Sequence, residues 1–195
     1  MFGRRKSRKG NVPDHLRARF DYLDALAPAT LMSPWERLPV VAVGGLWHVG
    51  FAPQSDLLLA ISSSGRGVID CTTGTRIARD DSEYYPDIPS LEGEGIGPLD
   101  GINIRLAGGE GGGLTRGTFD GWGIELHPLS WPDEELFLCP PGQSMLWHPP
   151  KEEPTLFKLK PLPSTLVAYG FSPTGLSLVI ATSSDIEIFR RDIGV

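Results

Sequence analysis

Apolar residues along this chain follow two different rhythms. Near the start, Leu16, Phe20, Leu23 and Ala27 recur every three or four residues, the spacing of one helix face, and Pro13 suits a first helical turn. This predicts a short amphipathic helix over 13–27, whose narrow apolar stripe fits the edge or end of a sheet better than a bundle. Pro28, Pro34 and Pro39 then end helical structure. From residue 40 onward the apolar residues come in short runs broken by Gly, Pro, Ser and Asp, which predicts strands over 40–43, 47–51, 57–61, 68–71, 102–106, 123–127, 136–139, 156–159, 166–171, 176–181 and 186–189. Many short strands belong to a sandwich, barrel or propeller. Residues 80–101, polar, acidic and rich in Pro and Gly, read as a long surface excursion, and 108–113 as a second, glycine-rich one.

The chain also repeats itself. Gly50-Phe51-Ala52-Pro53, followed by the run from Leu57 to Ser64, returns as Gly170-Phe171-Ser172-Pro173 followed by the run from Ser177 to Ser184, at a constant offset of 120 residues. Each copy is a strand ending in a Phe-x-Pro turn, a buried strand, a Ser-rich turn and a third strand, which is an antiparallel meander. The second copy, 169–190, resembles a WD-repeat β-propeller blade, in which a Phe-Ser-Pro turn precedes an apolar strand, a Ser-Ser-Asp turn and a strand closing in an aromatic, here Phe189. That resemblance implies blade-like meanders and an offset of three blade lengths of roughly 40 residues. The Gly-His pair that opens a WD repeat is absent, so the family's buried hydrogen-bond network is not implied. Asp120-Gly121 before the apolar run at 123–126 is a further turn-and-strand signal. The expected fold class is all-β: antiparallel blade-like meanders, forming a small or incomplete β-propeller or a β-sandwich, with one short N-terminal helix. Residues 1–12 are expected to be a basic flexible arm and 13–195 a single domain.

Composition agrees with this reading and narrows the function. The 24 Gly and 18 Pro among 195 residues argue against a helix bundle. No apolar run is long enough for a membrane helix, and the basic start is not followed by the apolar core of a secretory signal. Two cysteines, Cys71 and Cys139, make no disulfide framework, so a cytoplasmic protein, bacterial in style, is expected. Seven of the 18 basic residues, Arg4, Arg5, Lys6, Arg8, Lys9, Arg17 and Arg19, precede position 20, leaving residues 20–195 with a net charge of −12. An acidic body repels phosphate backbones, so nucleic acid is not an expected partner of the folded part; the arm could touch RNA, anionic lipid or an acidic partner, or stay solvated.

Candidate chemistry is sparse. The glycine cluster 107–113 lacks the Gly-Lys-Ser/Thr of a phosphate-cradling loop, and Ser62, Ser63 and Ser64 lack the nucleophile-elbow pattern. His15, His48, His127 and His148 have no metal-type spacing, so no metal site or cofactor is expected, and a zinc site would need distant segments. Glu125 and His127, two apart on a strand, share a face and form the best acid/base pair, with Asp120 a further catalytic candidate. The tripeptide Leu46-Trp47-His48 recurs as Leu146-Trp147-His148, and Trp122 and Trp131 flank the Glu125 strand. Trp47, His48, Asp100, Arg105 and Trp122 are the binding candidates, since tryptophans near loops serve either recognition surfaces or the core.

Two functions remain open on these residues. The first is a non-catalytic interaction module whose acidic body presents 80–101 and 108–113 to a protein partner, a basic one suiting the charge, with an immunity-type neutralising protein as one form. The alternative is a hydrolase or sugar-acting enzyme in which Asp100, Arg105, Asp120, Glu125 and His127 converge. A scaffold tethered through the basic arm is a third reading.

Overall fold

The computed structural model describes residues 12–127, 134–146 and 155–192; Arg4, Arg5, Lys6, Arg8, Lys9, Trp131, Trp147 and His148 lie outside them. In chain order these residues form helix α1 (Asp14–Ala25) and strands β1 (Glu36–Arg37), β2 (Val41–Ala42), β3 (Leu46–Phe51), β4 (Leu57–Ser62), β5 (Gly65–Asp70), β6 (Thr75–Asp80), β7 (Glu92–Glu94), β8 (Asn103–Arg105), β9 (Ala107–Gly108), β10 (Gly123–Leu126), β11 (Leu136–Cys139), β12 (Phe157–Lys158), β13 (Leu166–Phe171), β14 (Ser177–Thr182) and β15 (Asp185–Arg190). The chain is all-β with one helix, and its antiparallel sheets stay open rather than closing into a barrel. The residues gather into two compact units: Leu31–Phe119 with Leu162–Val195, and Met1–Thr30 with Asp120–Pro161.

The larger unit holds the repeat. One five-stranded sheet runs β6-β5-β4-β3-β9, a second runs β13-β14-β15 with β1 and β2 both pairing with β15, and β7 and β8 pair as a separate two-stranded sheet. The 120-residue echo extends from sequence into register. Gly50 faces Leu59 as Gly170 faces Val179, and both inner strands carry a bulge at the same place, between Leu46 and His48 and between Leu166 and Ala168. The turn bonds repeat too: Ala52 N–H donates to the Leu57 carbonyl at 2.9 Å and Ser172 N–H to that of Ser177 at 2.8 Å. Two meanders of one design therefore share a core, in which Val49, Leu58, Ala60 and Ile69 meet Ala168, Val179, Ala181 and Ile188.

Both glycines of the echo are required by close approach. A Cβ on Gly50 would stand 2.3 Å from the Arg105 carbonyl oxygen, and one on Gly170 would stand 2.5 Å from Leu114 Cβ. The segment that follows β8 thus crosses both inner strands, pairing β9 with β3 and bridging Thr115 to Phe171.

The excursion 80–101 is only partly a surface feature. Its Ile96 and Leu99 are buried with Ile104 and Leu106 against Leu59, Ile61 and Val68, covering the outer face of the sheet. Successive residues of β4 thus point into two different apolar layers, which accounts for its uninterrupted apolar run. The surrounding acids and prolines conceal these few apolar anchors from a pattern reading.

In the smaller unit, Pro13 stands just before α1, where its missing N–H costs nothing, and Leu26 turns extended at the other end. Phe20 and Leu23 are buried with Phe137, Cys139, Met145 and Leu156. The helix therefore lies on a sheet face, against the central strand of β10-β11-β12, rather than across an edge.

Candidate functional site

In the larger unit, the bulge in β3 turns Trp47 outward, 38% exposed, and its ring stacks on Tyr85 with centroids 6.1 Å apart. Tyr85 is 69% exposed, and its hydroxyl donates to Glu83 at 2.6 Å. His48, the next residue, is buried at 1% exposure. Glu110, at the tip of the hairpin closed by Gly108 and Gly111, brings a carboxylate oxygen to 2.6 Å from His48 Nε2. The contact is close but off the N–H axis, so it is not an aligned hydrogen bond. Two exposed aromatic rings with the Glu83 carboxylate on the Tyr85 hydroxyl offer π faces and anionic oxygens, the pair of features that receives a guanidinium or ammonium group.

The other candidates in this unit lie elsewhere on it. Asp100 is exposed, closing the short 3₁₀ turn Gly97–Leu99, and Arg105 is exposed on β8, in register with Glu92 of β7.

The smaller unit contains Asp120, Trp122, Glu125 and His127. Asp120 is exposed, whereas Trp122 is buried at 8% exposure and stacks on Phe157. Glu125 accepts a hydrogen bond from the Met145 backbone N–H at 2.9 Å, and Arg19 of α1 holds the same turn by donating to the Ser144 and Met145 carbonyls. His127 is buried at 3% exposure, with Phe20 at 5.1 Å and Phe137 at 6.1 Å between ring centroids. Its Nε2 lies 3.8 Å from Asp24 Oδ1. Burial pushes the imidazole below its ordinary range, while Glu135 and Asp24 pull the other way. Lys158 closes the group with a 2.7 Å ion pair to Glu135.

The five residues expected to converge are thus divided, Asp100 and Arg105 in one unit and Asp120, Glu125 and His127 in the other. Glu125 and His127 do both meet α1, but each has its own neighbours. Sequence reading missed Tyr85, Glu83, Asp24, Glu135 and Lys158, because none shares a motif with the residue it meets. Both cysteines are buried and free, and burial raises both thiols, that of Cys139 to about 12. Among the described residues no helix is long and apolar enough to cross a membrane. The chain matches no family model, no curated protein and no solved structure.

Proposed function

We propose that the chain is a non-catalytic interaction module that takes a basic protein partner on the Trp47–Tyr85 surface. The observation that carries this reading is the exposed aromatic stack with Glu83 hydrogen-bonded to it, on a body of net charge −12. A Lys or Arg side chain laid on an open indole face gains about 0.5–2 kcal/mol, and the surrounding negative field speeds encounter with a cationic surface. An immunity-type protein that neutralises a basic toxin is one form this module takes. The two meanders serve as the rigid support and are read as WD-like blades without the Gly-His network. Two buried free thiols suit a cytoplasmic setting. The acid/base alternative is less favoured, since Glu125 is engaged in holding the Met145 backbone.

The test is capture of partners by the tagged full chain from its own host at low salt, with Trp47→Ala and Tyr85→Ala chains in parallel. A stoichiometric basic protein is expected that leaves at high salt and does not join either variant. Capture unaffected by both salt and variants would overturn the reading.

A further inference from the structure

We propose that Asp24, His127 and Glu135 form a three-ligand site for a divalent metal ion of the zinc class. One donor atom from each lies within 4.8 Å of the other two. The three come from separate segments: the last turn of α1, the residue after β10 and the residue before β11. Backbone and packing fix their meeting. His127 N–H donates to the Glu135 carbonyl at 2.8 Å, and Phe20, one helical turn before Asp24, packs against the imidazole.

Distances and chemistry suit the ion. Tetrahedral zinc holds neighbouring ligand atoms about 3.4 Å apart, given metal–ligand bonds of about 2.0–2.2 Å. The 3.8 Å between His127 Nε2 and Asp24 Oδ1 is close to that spacing and too long for a hydrogen bond. Asp24 is 42% exposed at its side chain, so it can close on the ion by a rotamer adjustment. An imidazole nitrogen beside two carboxylates favours zinc-class ions, whereas calcium and magnesium take oxygen alone. Three protein ligands leave a fourth position for water or a partner's group, on the side where Asp24 meets solvent.

Lys158 is the obvious competitor. Its ammonium pairs with Glu135 Oε1, so it both orients the ligand and opposes the metal's charge. With a neutral imidazole, the two carboxylates and this single ammonium leave a net charge of −1 to attract a cation.

Chelator-stripped full-length protein would be titrated with Zn2+ against a chromophoric chelator, and with Co2+ followed by visible absorption. One ion per chain is expected. Asp24→Asn, at an exposed position that does not threaten folding, should weaken binding about tenfold or more. Lys158→Met, which removes the competing cation, should tighten it, and His15→Ala should leave it unchanged. Absence of stoichiometric Zn2+ binding, or equal affinity in wild type, Asp24→Asn and Lys158→Met, would overturn the proposal.

Discussion

Asp56 is the buried polar link between the two meanders. It is 9% exposed in the turn before β4, and its carboxylate accepts from Thr174 Oγ1 at 2.8 and 2.9 Å and from Ser177 Oγ at 2.6 Å. Ser172 Oγ continues the chain: it takes the Ser177 N–H at 3.1 Å and sits 3.0 Å from Thr174 Oγ1. The position 120 residues on is Leu176, so this network breaks the repeat and stands outside the shared apolar design. A hydrogen bond to a charged acceptor contributes about 1.5–3 kcal/mol, so Asp56→Ala, which removes the charged acceptor of two hydroxyls, should cost about 3–6 kcal/mol. That is a large part of a typical domain stability of about 5–15 kcal/mol. Asp56→Asn keeps an acceptor oxygen and should lose about 1–2 kcal/mol. Urea unfolding of wild type, Asp56→Ala, Ser177→Ala and the double variant gives the coupling, expected at about 0.5–3 kcal/mol. An Asp56→Ala loss under about 1 kcal/mol, or strict additivity with Ser177→Ala, would refute this account of how the meanders are joined.

Other outcomes follow from the same coordinates. Gly50→Ala and Gly170→Ala should each destabilise by about 1–3 kcal/mol or more by urea unfolding, because the new methyl meets the Arg105 carbonyl or Leu114. Cys71 and Cys139 should resist iodoacetamide at pH 8 in the folded protein and both react in urea, read by intact mass, since burial holds both thiols protonated. The Ser82 hydroxyl, then Arg66, hold the Asp80 carboxyl down to about 2. With an unfolded value of about 3.9, its contribution is present above that pH and is lost as pH falls through the folded value. The stability difference between wild type and Asp80→Asn should therefore shrink between about pH 5 and pH 2; a constant difference would contradict the assignment.

Much of the larger unit was legible because it depends on local rules repeated twice. The apolar run of β4 and its copy in β14, each between a Phe-x-Pro turn and a Ser-rich turn, fixed both elements and their antiparallel pairing. β6 is hidden from a pattern reading because four of its six residues, Thr75, Arg76, Arg79 and Asp80, are polar and its one large apolar side chain, Ile77, is exposed, as suits a protected edge. β1 and β7 are two and three residues long and exist through their partners rather than their own pattern. For the sites, Trp47 was visible as a tryptophan at a strand start, but Tyr85 reaches it across an excursion that reads as plain loop. His127 was paired with Glu125 by strand alternation, whereas its charged neighbours, Asp24 and Glu135, arrive from a helix end and a strand start. Contacts of that kind are decided by packing, which no spacing rule encodes.

The functional reading turns on whether Trp47 receives a cationic side chain. Indole N–H signals of 15N-labelled protein, assigned with Trp47→Phe, would be followed while an eight-residue arginine peptide is added at low and then high salt. The account predicts a saturable shift of the Trp47 signal, reversed by salt, with the signals of Trp35 and Trp122, 4% and 8% exposed, left in place. An unmoved Trp47 signal, or equal shifts across all the indoles, would contradict it.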